Sequence, residues 1–206
     1  MSNTLTSTGP MIVRRPTALA VLAVAQFIIA LDYSIIYVAL PSVARDLALD
    51  PAVAQWVISA YAVFFAGFLM VGGRLADRVG AQRLFIGAIT LFGVTSAIGG
   101  AAHDGPMLLA ARGAQGVGAA LLQPAILGLI GTTFPAGPSR SRAMAVWGAV
   151  GASGLAVGVI LGGLLTTASW RLTFFINVPL TLLCAVGATL WFSHARERTP
   201  VVQSRA

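Results

Sequence analysis

The chain has 206 residues, 57% hydrophobic and only 9% charged. Soluble domains carry about 45–50% apolar and about 25% charged residues, and disordered chains are polar and charge-rich; both classes are excluded, and most of this surface meets lipid. The 13 basic residues, all arginine, outnumber six acids for a net charge of +7, but they sit between long apolar runs rather than in a basic stripe, which excludes a nucleic-acid partner.

Crossing a bilayer takes about 20 predominantly apolar residues. Six stretches meet that length, predicting an all-α membrane protein with one six-helix domain at 17–193 and spans at 17–40, 52–72, 84–102, 107–134, 143–168 and 172–193. Residues 1–16 read as a polar tail. Arg14, Arg15 and Pro16 resemble the charged start of a signal peptide, but the apolar run is long and lacks a small-residue cleavage site, so it reads as a retained helix. Pro41 and Pro51 are expected to bracket the first loop, and Gly105-Pro106 and 135–138 mark further breaks. Residues 194–206 read as a second polar tail. The single cysteine, Cys184, lies in span six and has no partner for an internal disulfide.

Arginine placement sets the expected orientation. Arg14, Arg15, Arg74, Arg78, Arg83, Arg140, Arg142, Arg196, Arg198 and Arg205 fall on one side, and only Arg45 and Arg171 on the other. Both termini are therefore expected in the cytoplasm, on a multi-pass protein of the cell membrane.

Two charges remain inside spans, Asp32 in span one and Arg112 in span four. Each is costly in hydrocarbon unless paired or hydrated. Asp32 lies about 22 Å from the cytoplasmic start of its span and Arg112 about 8 Å from the outer start of its own, at 1.5 Å per residue. Both are expected at similar height, facing each other or sharing a water-filled cavity. Arg112, Gln115, Ala119 and Gln123 share one helical face, expected to line a cavity. Gln26, Tyr33 and Tyr37 share a face of span one, where they would either touch an amphipathic substrate or hydrogen-bond between helices. An acid and aromatics in one cavity would suit cationic amphiphiles.

Span five carries a ladder of small residues, Gly154, Gly158, Gly162 and Gly163, which lets another helix approach closely. The loop after span two holds Gly73, Asp77, Arg78, Gly80 and Arg83, a tight turn in which glycine relieves backbone strain. Together these residues resemble the loop signature of the major facilitator superfamily, with Ala81 and Gln82 where basic residues are usual. The run Arg112-Gly-Ala-Gln115-Gly116 resembles that family's span-four motif. Residues 31–41, with Tyr37 at a usual asparagine, are similar to the span-one motif of its fourteen-span drug:proton antiporter branch. Trp170-Arg171 with 175–179 also looks like that branch. The span-five ladder resembles its antiporter motif, with Val159 at the place of the usual proline.

The resemblance implies the N-terminal half of the major facilitator fold, built of two inverted three-helix repeats that pair span one with span four. It implies efflux of drugs or other small amphipathic molecules driven by the proton gradient, with no bound cofactor. Asp32, Arg112 and Gln115 would couple protons to substrate, and the loop of Asp77 and Arg78 would latch one conformation. Members of the branch have about twice this length. The chain is thus read as a truncated product, as a half that pairs with itself or with a second half, or as a portion of a longer protein. A non-transporting partner or sensor is an alternative from another class. A third is an intramembrane serine protease, since 151–154 matches the GxSG of rhomboids. Ser153 and the two histidines, His103 and His194, are however expected at different depths, out of the roughly 3 Å reach that a general base needs. No metal-ligand pattern is present.

Overall fold

The computed structural model describes residues 11–196, with side chains from Pro16 to Phe192. Most of the two expected tails, 1–10 and 197–206, lies outside the described residues, as do the side chains of Arg14, Arg15, His194 and Arg196. The elements are α1 (Met11–Asp46), α2 (Pro51–Val79), α3 (Ala81–Gly100), α4 (Gly105–Thr133), α5 (Pro138–Thr166), α6 (Leu172–Phe175) and α7 (Asn177–Arg196). Among the described residues six helical stretches are long and apolar enough to cross a membrane, the last being α6 with α7.

The helices outrun the apolar runs that predict them. Residues 11–16 belong to α1 rather than to a tail, and α1 continues through Pro41 to Asp46 instead of ending in a loop there. Proline removes one helix hydrogen bond, a loss that membrane helices tolerate. Extension of α2 to Val79 and the start of α5 at Pro138 have the same origin. Backbone hydrogen bonding continues into the polar zone after hydropathy has fallen.

Helix starts follow local chemistry. Asp50 accepts from the Ala52 and Val53 amides, with Pro51 in the first turn. Asp104 accepts from the Met107 amide at 2.8 Å, with Pro106 in the first turn. A side-chain acceptor before the helix and a proline at its first positions satisfy donors and fix φ where the helix begins. The sixth span breaks at Ile176 because Pro179, three residues on, has no amide hydrogen to give the Phe175 carbonyl. The break sets Asn177 at the start of α7, deep in the bundle and fully buried.

The broadest helix contacts are α1 with α5 and α2 with α4. Exchanging the first three spans for the last three maps one pair onto the other, the internal relation expected of paired three-helix repeats. The main core lies between α1, α3, α4 and α7, centred on Leu22, Ile28, Phe85, Ile89, Phe92 and Leu122. Faces of α2 and α5 remain exposed, with Phe64, Met70, Ile160 and Leu164 among the apolar residues there.

Close approach of α1 to α5 depends on glycine. A Cβ on Gly158 would run into Ser34 Oγ and stand 2.8 Å from the Leu31 carbonyl oxygen. Gly154 and Gly162 face Phe27 and Ile35 carbonyls in the same way. Gly163, expected in this ladder, faces away, and an added Cβ there meets nothing within 4 Å. Gly151 takes the further rung, against Gln26. One step along a helix turns 100°, so Gly163 cannot share the face of Gly162.

Candidate functional site

Asp32, at mid-α1, is 1% exposed, and Arg112, about two turns into α4, is equally buried. Arg112 Nη1 donates to Asp32 Oδ2 at 2.8 Å. Asp32 Oδ1 accepts from Gln115 Nε2 at 3.1 Å and from Asn177 Nδ2 at 2.8 Å. Arg112 also donates from Nη1 to Gln115 Oε1 at 3.0 Å and from Nε to the Val57 carbonyl at 3.1 Å. Gln115 Nε2 further donates to Ser96 Oγ, which donates to the Phe92 carbonyl. Residues of α1, α2, α3, α4 and α7 therefore meet in one polar knot.

The knot is buried and has aromatic edges. The Arg112 guanidinium lies 4.4 Å from the Tyr61 ring centroid and 5.9 Å from that of Phe174. A buried ion pair survives desolvation only when its remaining valences are hydrogen-bonded, and the amides of Gln115 and Asn177 supply those bonds. Paired, the two charges cancel. A proton on Asp32 would leave Arg112 without its counter-charge while its bonds to Val57 and Gln115 persist.

Beside the knot, between α1, α2, α4 and α5, is a cavity of about 600 Å³. Gln26, Tyr33, Tyr61, Phe65, Gln123 and Trp147 line it. Four buried polar atoms of these residues, Gln26 Oε1, Tyr61 OH, Gln123 Oε1 and Trp147 Nε1, have no hydrogen-bond partner among the described residues and are closed off from the cavity space.

This geometry corrects the expected cavity face of span four. Arg112, Gln115 and Ala119 are enclosed by other helices, and of that stripe only Gln123 reaches the cavity. Arg112 and Gln115 are satisfied by partners on neighbouring helices. Asp32 is likewise absent from the cavity wall. Gln26 and Tyr33 line the cavity, while Tyr37, 47% exposed, lies outside it and donates to the Tyr33 hydroxyl at 3.1 Å. Asn177, Ser96, Tyr61 and Trp147 were missed as site residues. For Asn177 and Ser96 the signal was available, an amide and a hydroxyl within apolar spans; for the two aromatics composition gives none.

The α2–α3 turn is set by Gly80, whose φ of +88° lies where side chains are strained. Asp77, Arg78 and Arg83 are exposed there, and Gly73 is half-buried. No ion pair joins these charges among the described residues. Ser153 donates to the Val150 carbonyl of its own helix at 2.8 Å, without a histidine partner among the described residues.

The sequence profile of the Major Facilitator Superfamily matches residues 22–206. The puromycin resistance protein pur8 of Streptomyces alboniger is 46% identical over 178 residues, 86% of this chain and 35% of that protein. The cephamycin export protein CmcT of Amycolatopsis lactamdurans is 46% identical over 181 residues, 87% of this chain and 36% of that protein. The tetracenomycin C resistance and export protein of Streptomyces glaucescens is 38% identical over 187 residues, 90% of this chain and 34% of that protein. The chain thus spans about a third of the length of these curated relatives. In fold it is similar to a crystal structure of the peptide transporter POT in complex with sulfate, with TM-score 0.69 at 19% identity, covering 84% of this chain and 37% of that one.

Proposed function

Because the chain belongs to the Major Facilitator Superfamily, we propose that it forms the N-terminal six-helix half of a proton-coupled exporter of small amphipathic molecules in the cell membrane, with both termini cytoplasmic. The observation that carries this reading is the buried Asp32–Arg112 pair, tied to Gln115 and Asn177 and lying against a ligand-sized cavity. Tyr61 belongs to both, lining the cavity with its ring against the guanidinium. Charge on Asp32 is thereby linked to the shape of the cavity wall. Protonation of the carboxylate removes the counter-charge that ties Arg112 to α1, and the α1–α4 contact can then shift while Arg112 stays bonded to Val57 and Gln115; loss of the proton draws the pair together again. The names of the similar resistance and export proteins support efflux as the direction.

A second half completes this reading. The α2 and α5 apolar windows are only 22% and 17% buried, against 33–67% for the other spans. These two helices flank the cavity, and a second six-helix unit, whether a further part of a longer protein, a second copy or a separate half, would close it. The loop of Gly73, Asp77, Arg78, Gly80 and Arg83 would meet that unit and hold one conformation, since its charges have no ionic partner within the described residues.

The test is export from proteoliposomes or cells under an imposed pH gradient, with the oligomeric state measured in parallel. Asp32→Asn removes the charge; its single amide oxygen can still accept from Gln115 and Asn177, and the bond from Arg112 is lost. It is expected to abolish gradient-driven export while the protein still inserts into the membrane. Undiminished export by that variant ends the coupling role of Asp32. A chain that moves no substrate in any assembly state supports a non-transporting partner or sensor instead.

A further inference from the structure

We infer that the cavity between α1, α2, α4 and α5 takes an uncharged, planar aromatic molecule with a hydrogen-bond donor and an acceptor on its edge, rather than an organic cation. This names the substrate class of the site proposed above and rests on that reading. Three observations carry it.

First, among the described residues no acid or base lines the cavity. Asp32, the acid beside it, has both oxygens engaged by Arg112, Gln115 and Asn177 and is 1% exposed. An organic cation entering here would lose its hydration and find no counter-charge on these four helices. Aromatic faces offset part of that loss, but one face of Tyr61 already carries the Arg112 guanidinium.

Second, the polar part of the lining is neutral and works in both directions. The Gln26 and Gln123 amides and the Tyr33 hydroxyl each donate and accept, and the Trp147 indole donates. A guest offering an N–H or O–H and a carbonyl can pair with such groups; a quaternary or N-alkylated cation offers neither. Third, the walls are flat. The Tyr61 and Phe65 rings lie within 4° of parallel, and Tyr33 and Trp147 complete the aromatic lining. Flat faces with polar atoms at the margins suit a fused ring system held by stacking and read along its edge.

A matched pair of probes tests this on the full chain in nanodiscs, with empty nanodiscs as reference. Acridone is neutral and carries one N–H and one carbonyl. N-methylacridinium has the same three-ring skeleton, a permanent charge and neither group. Acridone is expected to bind saturably and about tenfold or more tighter than the cation. Gln123→Leu should weaken acridone binding by about fivefold or more. Gln123→Glu adds an acid and should raise affinity for the cation while lowering it for acridone, a gain that misfolding cannot mimic.

Equal or tighter binding of the cation to the unaltered chain overturns the inference. So does an acridone affinity that neither Gln123 variant changes, or an absence of saturable acridone binding. Failure of the exporter reading has a separate signature. Saturable acridone binding without gradient-driven movement in proteoliposomes would count against transport and leave the cavity's preference standing.

Discussion

Asp32 and Arg112, 80 residues apart in the chain, meet as a buried ion pair with 2.8 Å between Oδ2 and Nη1. Neither side chain exposes more than 2% of its surface. Two charges removed from water are tolerable together and not singly, so the pair acts as one unit whose two members have different consequences when removed.

Arg112→Met leaves the Asp32 carboxylate buried beside amides alone. The variant is expected to lose about 3–5 kcal/mol of stability. Asp32→Asn with Arg112→Met removes both charges and should be milder than Arg112→Met by itself. Thermal unfolding in detergent, followed by helical circular dichroism, compares them. A double variant as unstable as the sum of the single variants would show that the charges do not act as a pair.

The glycine ladder separates two neighbouring positions sharply. Gly158→Ala drives a methyl group against Ser34 and the Leu31 backbone, where α1 cannot yield without moving along its length. It is expected to cost about 1–3 kcal/mol. Gly163→Ala, with nothing within 4 Å, should change stability by no more than about 0.5 kcal/mol. The same unfolding assay decides; equal losses at both positions would mean that α1 does not pack on the Gly158 face.

Gly80 joins α2 to α3 at φ +88° and ψ 140°. An L-residue is strained in that region, so Gly80→Ala is expected to destabilise the protein by about 1–3 kcal/mol, although there is open space around the site. Replacement by D-alanine through semisynthesis should restore most of the loss. If D-alanine is no better than L-alanine, backbone strain is not what requires glycine there.

Orientation is open to chemical labelling. Cys184, 2% exposed, gives a quiet background. With a membrane-impermeant maleimide, His103→Cys on the α3–α4 loop should label in intact cells. Gln82→Cys, beside the α2–α3 turn, should label only after permeabilisation. The reverse pattern would invert the proposed topology.

Much of the architecture was written into the order of residues. Apolar runs of membrane length announce six crossings whatever their packing, because lipid leaves the backbone no alternative to internal hydrogen bonding. The helix rise also set Asp32 and Arg112 at one height. Helix ends were less legible, as α1 shows by passing Pro41 and reaching Asp46. Hydropathy reports where the chain meets lipid, whereas a helix ends where its hydrogen bonds are capped.

What only the tertiary structure decided is which groups face which. The sequence alone determined that Arg112, Gln115 and Gln123 share a helix face and that Gly162 and Gly163 are neighbours. It could not say that Gln115 turns into a closed knot while Gln123 opens to a cavity, or that Gly162 packs and Gly163 does not. Nor could it bring Asn177, 145 residues away, to the Asp32 carboxylate. Periodicity fixes angles within one helix. The rotation of that helix against its neighbours follows from the packing of all of them, and each buried polar group finds its partner only once the others are in place.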